Sequence, residues 1–107
     1  MPANFIDLDS HEKLEALFHA SHTQPVIIFK HSTSCGISAG VYREVQAVDA
    51  DVNLVVVQRN RDISNAISQL TGVRHESPQA IVLLNGSPVY QASHWDIEPT
   101  QISLKLN

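Results

Sequence analysis

The stretch "VIIFKHSTSCGIS", which runs from Val26 to Ser38, decides the fold. Residues 26–29 are apolar without interruption, and such a run predicts a strand that is buried on both faces of a sheet. The polar residues that follow predict a turn, and a helix should begin near Cys35. A buried strand that leads through a turn to a cysteine at a helix start is therefore the centre of the predicted structure.

Four further strands are predicted outside this stretch. They cover residues 4–8, 54–58, 80–84 and 88–91. The dipeptide Asn85-Gly86 predicts a hairpin between the last two. Pro88 cannot donate a bond to a sheet ladder, so we expect the last strand at an edge.

Three further helices are predicted from caps and apolar stripes. Ser10 should cap the first, which runs to about Ser21, and Asp62 should cap the third, which ends at Gly72. The second helix should bury Ile37, Val41, Val45 and Val48, and the third Ile63, Ile67 and Leu70. Gly40 inside the second helix suggests close packing against it. Pro99 should begin a short last helix.

The predicted elements follow one another in the order β-α-β-α-β-α-β-β-α. Two buried strands joined by a helix predict a right-handed unit with a parallel pair, whereas the hairpin predicts an antiparallel pair. We therefore expect one α/β domain over residues 1–107, with helices flanking a mixed central sheet. This order, with a cysteine at the strand-to-helix turn and Pro78 before the fourth strand, resembles the thioredoxin fold.

Composition excludes several classes of function. A formal net charge of −4 argues against a nucleic-acid partner, because phosphate contacts need clustered basic side chains. No apolar run approaches the roughly 18 residues of a membrane helix, and the N-terminus lacks the pattern of a signal peptide. The histidines form no convincing metal set. A single cysteine cannot form an internal disulfide and suits a reducing compartment, so we expect a cytoplasmic protein without a membrane partner.

Cys35 is the candidate nucleophile. At a helix N-terminus, unpaired backbone amides and the helix dipole favour the thiolate, which is the reactive form of cysteine. The backbone amides of Ile37 and Ser38 and the Ser38 hydroxyl are candidate donors, and Lys30 and His31 could add positive potential. The alternative is a small, inert, buried cysteine.

Ser38 stands where a two-cysteine oxidoreductase often has its second thiol. Serine cannot resolve a mixed disulfide, so an adduct on Cys35 would have to be released by an external thiol. The pattern therefore predicts a monothiol exchange cycle.

The segment before the fourth strand forms the second half of the candidate site. Thioredoxin-like folds resemble one another in having a cis-proline at this place, which predicts a cis bond before Pro78 and backbone pairing of Ser77 with a disulfide substrate. Arg74 and His75 flank this loop, where Arg74 could bind a cosubstrate carboxylate; ordinary solvated side chains are the alternative. We assign Cys35 and Ser38 to catalysis. To substrate binding we assign Ser34, Gly36, Ile37, Ser77, Pro78, Arg74 and His75.

Several separated blocks of the chain resemble the YtxJ-like monothiol bacilliredoxin family. They are "FKHSTSCGIS", "LVVVQRNRDISNAISQLTGVRHESPQA", "LLNG" and "SHWDI", and the similarity extends from about Pro25 to Ile97. The resemblance implies that Cys35 attacks S-bacillithiolated proteins, takes the bacillithiol adduct and is regenerated by another thiol. It also implies S-thiolated proteins and a small thiol as partners, with bacillithiol as cosubstrate and no tightly bound cofactor.

Gly36 departs from this family, which more usually has proline after the cysteine. The resulting Cys-Gly-Ile-Ser is similar to the Cys-Gly-Phe-Ser of monothiol glutaredoxins, which bind glutathione and bridge an iron–sulfur cluster between two subunits. The Gly-Gly-x-Asp pattern that holds glutathione in those proteins is replaced here by "YQASHWD". A cluster carrier or a non-catalytic thioredoxin-like binding module is therefore the alternative function.

Overall fold

A computed structural model describes residues 2–107. Over this range the predicted order of elements is confirmed. The elements are β1 (Asn4–Asp7), α1 (His11–Ala20), β2 (Val26–His31), α2 (Gly36–Val45), β3 (Asp51–Val56), α3 (Arg61–Thr71), β4 (Gln79–Leu84), β5 (Ser87–Ser93) and α4 (Pro99–Leu104). A short 3₁₀ turn, His94–Asp96, lies between β5 and α4 and was not predicted.

The five strands form one mixed sheet in the order β1-β3-β2-β4-β5. β3 pairs in parallel with β1 and β2, whereas β4 pairs antiparallel with β2 and β5. β2 is therefore the central strand, and β5 with Pro88 is an edge strand as predicted. The hairpin is also confirmed, because Asn85 and Gly86 both have positive φ, at 56° and 74°.

Each face of the sheet carries its own apolar core, because successive strand residues point to opposite faces. On one face Phe29 packs with Val41 and Val45 of α2 and with Ile102 of α4. On the other face, Ile28 and its neighbours pack against α1 and α3, through Leu14, Ile63 and Ile67. The central strand is thus enclosed by helices on both sides, and its carboxyl end leads to Cys35.

The predicted apolar stripe of α2 was wrong at its start. Ile37 is 38% exposed, while Ser38 is fully buried in the same turn. The serine takes the inward position because its hydroxyl has hydrogen-bond partners there at the end of β2. The thiol-bearing end of α2 therefore presents an apolar side chain to solvent.

Two details of α3 also differ from the predictions. The helix begins at Arg61, so its N-cap is Asn60 and not Asp62 as predicted. The Asp62 carboxylate lies in the first turn, 3.2 Å from Nε2 of His11, where the helix dipole still favours it. Leu70, in the last turn, is 57% exposed, beyond the buried residues Ile63 and Ile67. Within residues 2–107, no helix combines the length and apolar character needed to cross a bilayer.

Candidate active site

Cys35 occupies the N-cap position of α2, with extended backbone angles of φ −106° and ψ 122°. Its carbonyl oxygen accepts from the Ala39 N–H at 3.1 Å, which confirms that the helix begins at the cysteine. The side chain is half-buried and forms no capping hydrogen bond within the described part of the chain. The thiol therefore belongs to the residue that caps the amino end of a ten-residue helix.

Ser38 ties the first turn of α2 to the end of β2. Its Oγ accepts a hydrogen bond from the Ser32 N–H at 2.9 Å and lies 2.8 Å from Nδ1 of His31. These contacts fix the start of the loop that leads to the cysteine. The expected donation from this hydroxyl to the Cys35 thiolate stays a prediction.

The two basic residues at the end of β2 have different surroundings, and the positive potential expected from them beside the thiol stays a prediction. Burial lowers the pKa of His31 below its ordinary value, so its imidazole is neutral at pH 7. Its ring lies 5.0 Å from that of Tyr42 in α2, measured between centroids. Lys30 points to the opposite face of the sheet, because adjacent strand residues alternate.

Lys30 is a fully buried lysine in contact with α3 and with the loop before β4. Its ammonium donates to the Ser64 carbonyl oxygen and to Ser68 Oγ, each at 3.1 Å. Nδ1 of His75 lies 3.2 Å from the same Nζ. Desolvation lowers the pKa of Lys30 to about 8, and the three contacts match the three donors of the ammonium.

His75 is an anchor of its loop rather than a solvated side chain. Its Nδ1 is also 2.9 Å from Ser64 Oγ. Burial lowers the pKa of His75, and the charges of Lys30 and Arg61 lower it further against the opposing effect of Glu76. The Lys30 ammonium can only donate, so Nδ1 of His75 accepts from it, and the neutral ring carries its proton on Nε2. Together with the contact to Ser64 of α3, this bond holds the segment before β4 in place.

The loop before α2 (residues 32–35, the cysteine loop) and the loop before β4 (residues 72–78, the proline loop) lie at the same end of the sheet. The Ser77–Pro78 peptide bond is cis, and the next residue, Gln79, pairs with Lys30 in the ladder between β4 and β2. The Pro78 carbonyl accepts from the His94 N–H at 2.9 Å. Ser77 is half-buried, whereas Arg74 is exposed.

The remaining predicted binding residues surround the thiol along the chain. Ser34, Gly36 and Ile37 are all exposed. A methyl group at Gly36 would have no heavy atom within 4 Å, so the space beside the cysteine is open. Gly36 is the first residue of α2, a position that proline also suits.

Trp95 packs against α2, as the close-packing interpretation of Gly40 predicts. A Cβ on Gly40 would lie 2.7 Å from Cη2 of the indole, so the glycine leaves the space that the ring fills. The indole is nevertheless 58% exposed. The preceding residue, His94, holds a left-handed φ of 56° at the start of the turn that follows β5.

Sequence patterns missed the polar residues that hold these loops. Gln58, Ser64 and Ser68 carry no motif, and their contacts with Lys30 and with residues 32–34 join positions 24 to 38 residues apart in the chain. The one available signal was Lys30 at the end of a buried strand, since a buried ammonium needs acceptors. Within residues 2–107, no group of three or more His, Cys, Asp or Glu side chains is placed to hold a metal ion.

Comparison with known families agrees with this arrangement. A model of the family described as "Monothiol bacilliredoxin BrxC" matches residues 6–102. The chain belongs to this family. The match contains both the cysteine loop and the proline loop, and with the fold it indicates a thiol oxidoreductase.

Solved structures show the same fold. One described as an oxidoreductase with a thioredoxin fold is 33% identical, with a TM-score of 0.85, over 96% of this chain and 94% of the other. A mutant thioredoxin from Halobacterium salinarum is 19% identical, with a TM-score of 0.70 and coverages of 95% and 88%. The thioredoxin of Trypanosoma brucei brucei is 15% identical, with a TM-score of 0.74 and coverages of 96% and 88%. The likeness to the two thioredoxins concerns the fold alone.

Proposed function

We propose that this chain is a monothiol oxidoreductase that removes bacillithiol from mixed disulfides on proteins, with Cys35 as the nucleophile. The observation that carries the proposal is the position of Cys35, the only cysteine, at the start of α2, with a buried serine where a second thiol would stand. Family membership supports the same chemistry. The single cysteine favours a reducing compartment, and we place the activity in the cytoplasm.

The first step is an exchange between two sulfurs. The Cys35 thiolate attacks the bacillithiol sulfur of the mixed disulfide, and a new S–S bond forms as the old one breaks. The electron pair of the broken bond leaves on the substrate protein's sulfur, which becomes a thiolate and takes a proton from water. Cys35 is thereby oxidised to a mixed disulfide and the substrate cysteine is reduced.

The second step needs an external thiol. Ser38 has no sulfur with which to attack the adduct, so a second small thiolate attacks the bacillithiol sulfur on Cys35. This attack releases the Cys35 thiolate and yields a disulfide of the two small thiols. Monothiol chemistry of this kind requires that the adduct be open to solvent, and the exposed Ser34, Gly36 and Ile37 leave it so.

Substrate contacts are assigned to the second loop. In this proposal the Ser77 backbone beside Pro78 pairs with the chain of the substrate protein. The exposed Arg74 guanidinium is available to a carboxylate of the cosubstrate. His75 contributes by holding the loop to Lys30 and Ser64.

The test is removal of bacillithiol from a model protein that carries it on one cysteine. Wild-type chain with excess reduced bacillithiol should release the adduct, and Cys35→Ser should be inactive. The same model protein carrying glutathione is the specificity control and should react more slowly. Equal release by wild type and Cys35→Ser would refute the proposal.

A further inference from the structure

Gln58 is an exposed residue in the turn that follows β3. Its side-chain amide contacts three consecutive residues of the loop before Cys35. Oε1 accepts from the Thr33 N–H at 3.2 Å, and Nε2 donates to Ser32 Oγ at 2.7 Å and to Ser34 Oγ at 3.0 Å. The carbonyl oxygen and both hydrogens of the amide are therefore used by one loop.

The same loop is also held from its other side. The Ser32 N–H donates to Ser38 Oγ of α2, while the Ser32 hydroxyl accepts from Gln58. Within the loop, the Cys35 N–H is 3.4 Å from the Ser32 carbonyl oxygen. Ser32 is thus fixed by α2 and by the end of β3 together, three residues before the thiol.

These contacts matter because little else restrains the loop. Residues 32–35 belong to no helix or strand, and Thr33 and Ser34 are exposed. Apolar packing therefore cannot fix them. The direction in which the chain enters α2, and with it the direction of the Cys35 side chain, depends on hydrogen bonds from Ser38 and Gln58.

We propose that Gln58 is a positioning residue, which holds Ser32–Ser34 so that the Cys35 sulfur is directed for in-line attack on a disulfide. The inference rests on the proposed function, since the attack is the one that Cys35 makes in that reaction. Gln58 itself touches no reacting atom. Attack on a disulfide is sensitive to alignment, and a misplacement of about 1 Å can reduce a rate on the order of 100-fold.

Two substitutions at position 58 distinguish the effect of side-chain length from the effect of side-chain charge. Gln58→Asn keeps the amide but withdraws it by one methylene, so it cannot span all three loop residues. Gln58→Glu keeps the reach, and its carboxylate can accept from Thr33 N–H and from both serine hydroxyls, but it adds a negative charge near the thiol. Gln69→Asn, at an exposed glutamine of α3, is the matched control for the first change.

The experiment measures the rate constant for Cys35 against pH with two reagents, the bacillithiolated model protein and iodoacetamide. With the protein substrate, Gln58→Asn should lower the high-pH plateau about tenfold, whereas Gln69→Asn should match wild type. Gln58→Glu should stay within about twofold of the wild-type plateau, with its midpoint moved to higher pH by the added charge. Iodoacetamide is a small reagent, and its reaction with Cys35 depends less on alignment. The high-pH plateau of its rate constant should therefore change by less than about threefold in every variant.

Equal plateaus for Gln58→Asn and wild type with the protein substrate would overturn the positioning role while leaving the proposed function intact. Failure of the wild-type chain to react with the bacillithiolated protein would instead refute the proposed function. Amide hydrogen exchange of the wild-type chain gives a test that needs no variant. The Thr33 N–H should be protected by its bond to Gln58, and exchange at the rate of a free peptide would contradict the proposal.

Discussion

A serine at the position of a second thiol has two consequences in this chain. It removes the resolving thiol, which makes any exchange cycle depend on an outside thiol. It also contributes a buried hydroxyl that joins α2 to His31 and Ser32. The sequence could predict the first consequence, because it follows from the residue type alone. The second depends on the fold, because it requires that α2 return over the end of β2.

Ser38→Ala should therefore destabilise the protein although it leaves Cys35 unchanged. The substitution removes the acceptor of the Ser32 N–H and the partner of His31 in a buried site. We expect a loss of about 1–2 kcal/mol in the free energy of unfolding, measured in urea. Ser87→Ala, at an exposed serine of β5, is the control. Equal losses in the two variants would contradict the anchoring role of Ser38.

Lys30 should make stability depend on pH in the alkaline range. Its pKa is about 8 in the folded chain and 10.5 in an unfolded one, so the unfolded chain binds more protons between these values. The free energy of unfolding should therefore rise with pH from 8 to 10.5, by on the order of 3 kcal/mol for the full shift. The free energy of unfolding in urea is measured against pH for wild type and Lys30→Met, and the difference between the two isolates this effect. Lys105→Met is the exposed control. A difference that is flat with pH would contradict the burial of the ammonium.

At the scale of elements, periodicity predicts strands and helices well but assigns buried polar residues poorly. β3 begins at Asp51, earlier than the apolar run predicts, and it includes the buried Asn53, whose side-chain amide donates to the Ile27 carbonyl at 2.9 Å. Likewise Ser38 is buried and Ile37 exposed. In both cases a specific hydrogen-bond partner on another element outweighs hydrophobicity, and one sequence does not reveal that partner.

The first turn of α2 should accept the proline that the family more usually has after the cysteine. Gly36 is the first helical residue, its Cβ direction is open, and Cys35 has the extended conformation that a residue before proline prefers. Gly36→Pro should raise the free energy of unfolding by about 0.4–1 kcal/mol through the lower entropy of the unfolded chain. The melting temperatures of Gly36→Pro, Gly36→Ala and wild type, measured by thermal unfolding, provide the comparison. A lower melting temperature for the proline variant than for wild type would refute this account of the turn.

Gly40→Ala should displace Trp95 from α2. The new methyl group would lie 2.7 Å from the indole, which is largely exposed and can move away. Because Trp95 is the only tryptophan, its fluorescence should shift to longer wavelength and be quenched more strongly by acrylamide. The better helix propensity of alanine should keep stability within about 1 kcal/mol of wild type. Gly36→Ala, where the space is open, should leave the emission unchanged, and an unchanged Gly40→Ala spectrum would contradict the packing.

For the whole molecule, the sequence predicted the element order, the mixed sheet, the edge strand and the position of Cys35. Those features depend on local patterns and on chain connectivity. The contacts that hold the two loops were not predictable, because Gln58 with Thr33 and Lys30 with His75 join residues far apart in the chain. Both loops reach one end of the sheet because β2 and β4 are neighbours of opposite direction.

The most direct test of the central claim is the mass of the intact chain during turnover. Wild-type chain mixed with the bacillithiolated protein, and stopped with acid within the first turnover, should carry one bacillithiol on Cys35 in proportion to the thiol released on the substrate. Added reduced bacillithiol should then return the chain to its unmodified mass. Release of substrate thiol with no adduct on Cys35 at any time would contradict the account.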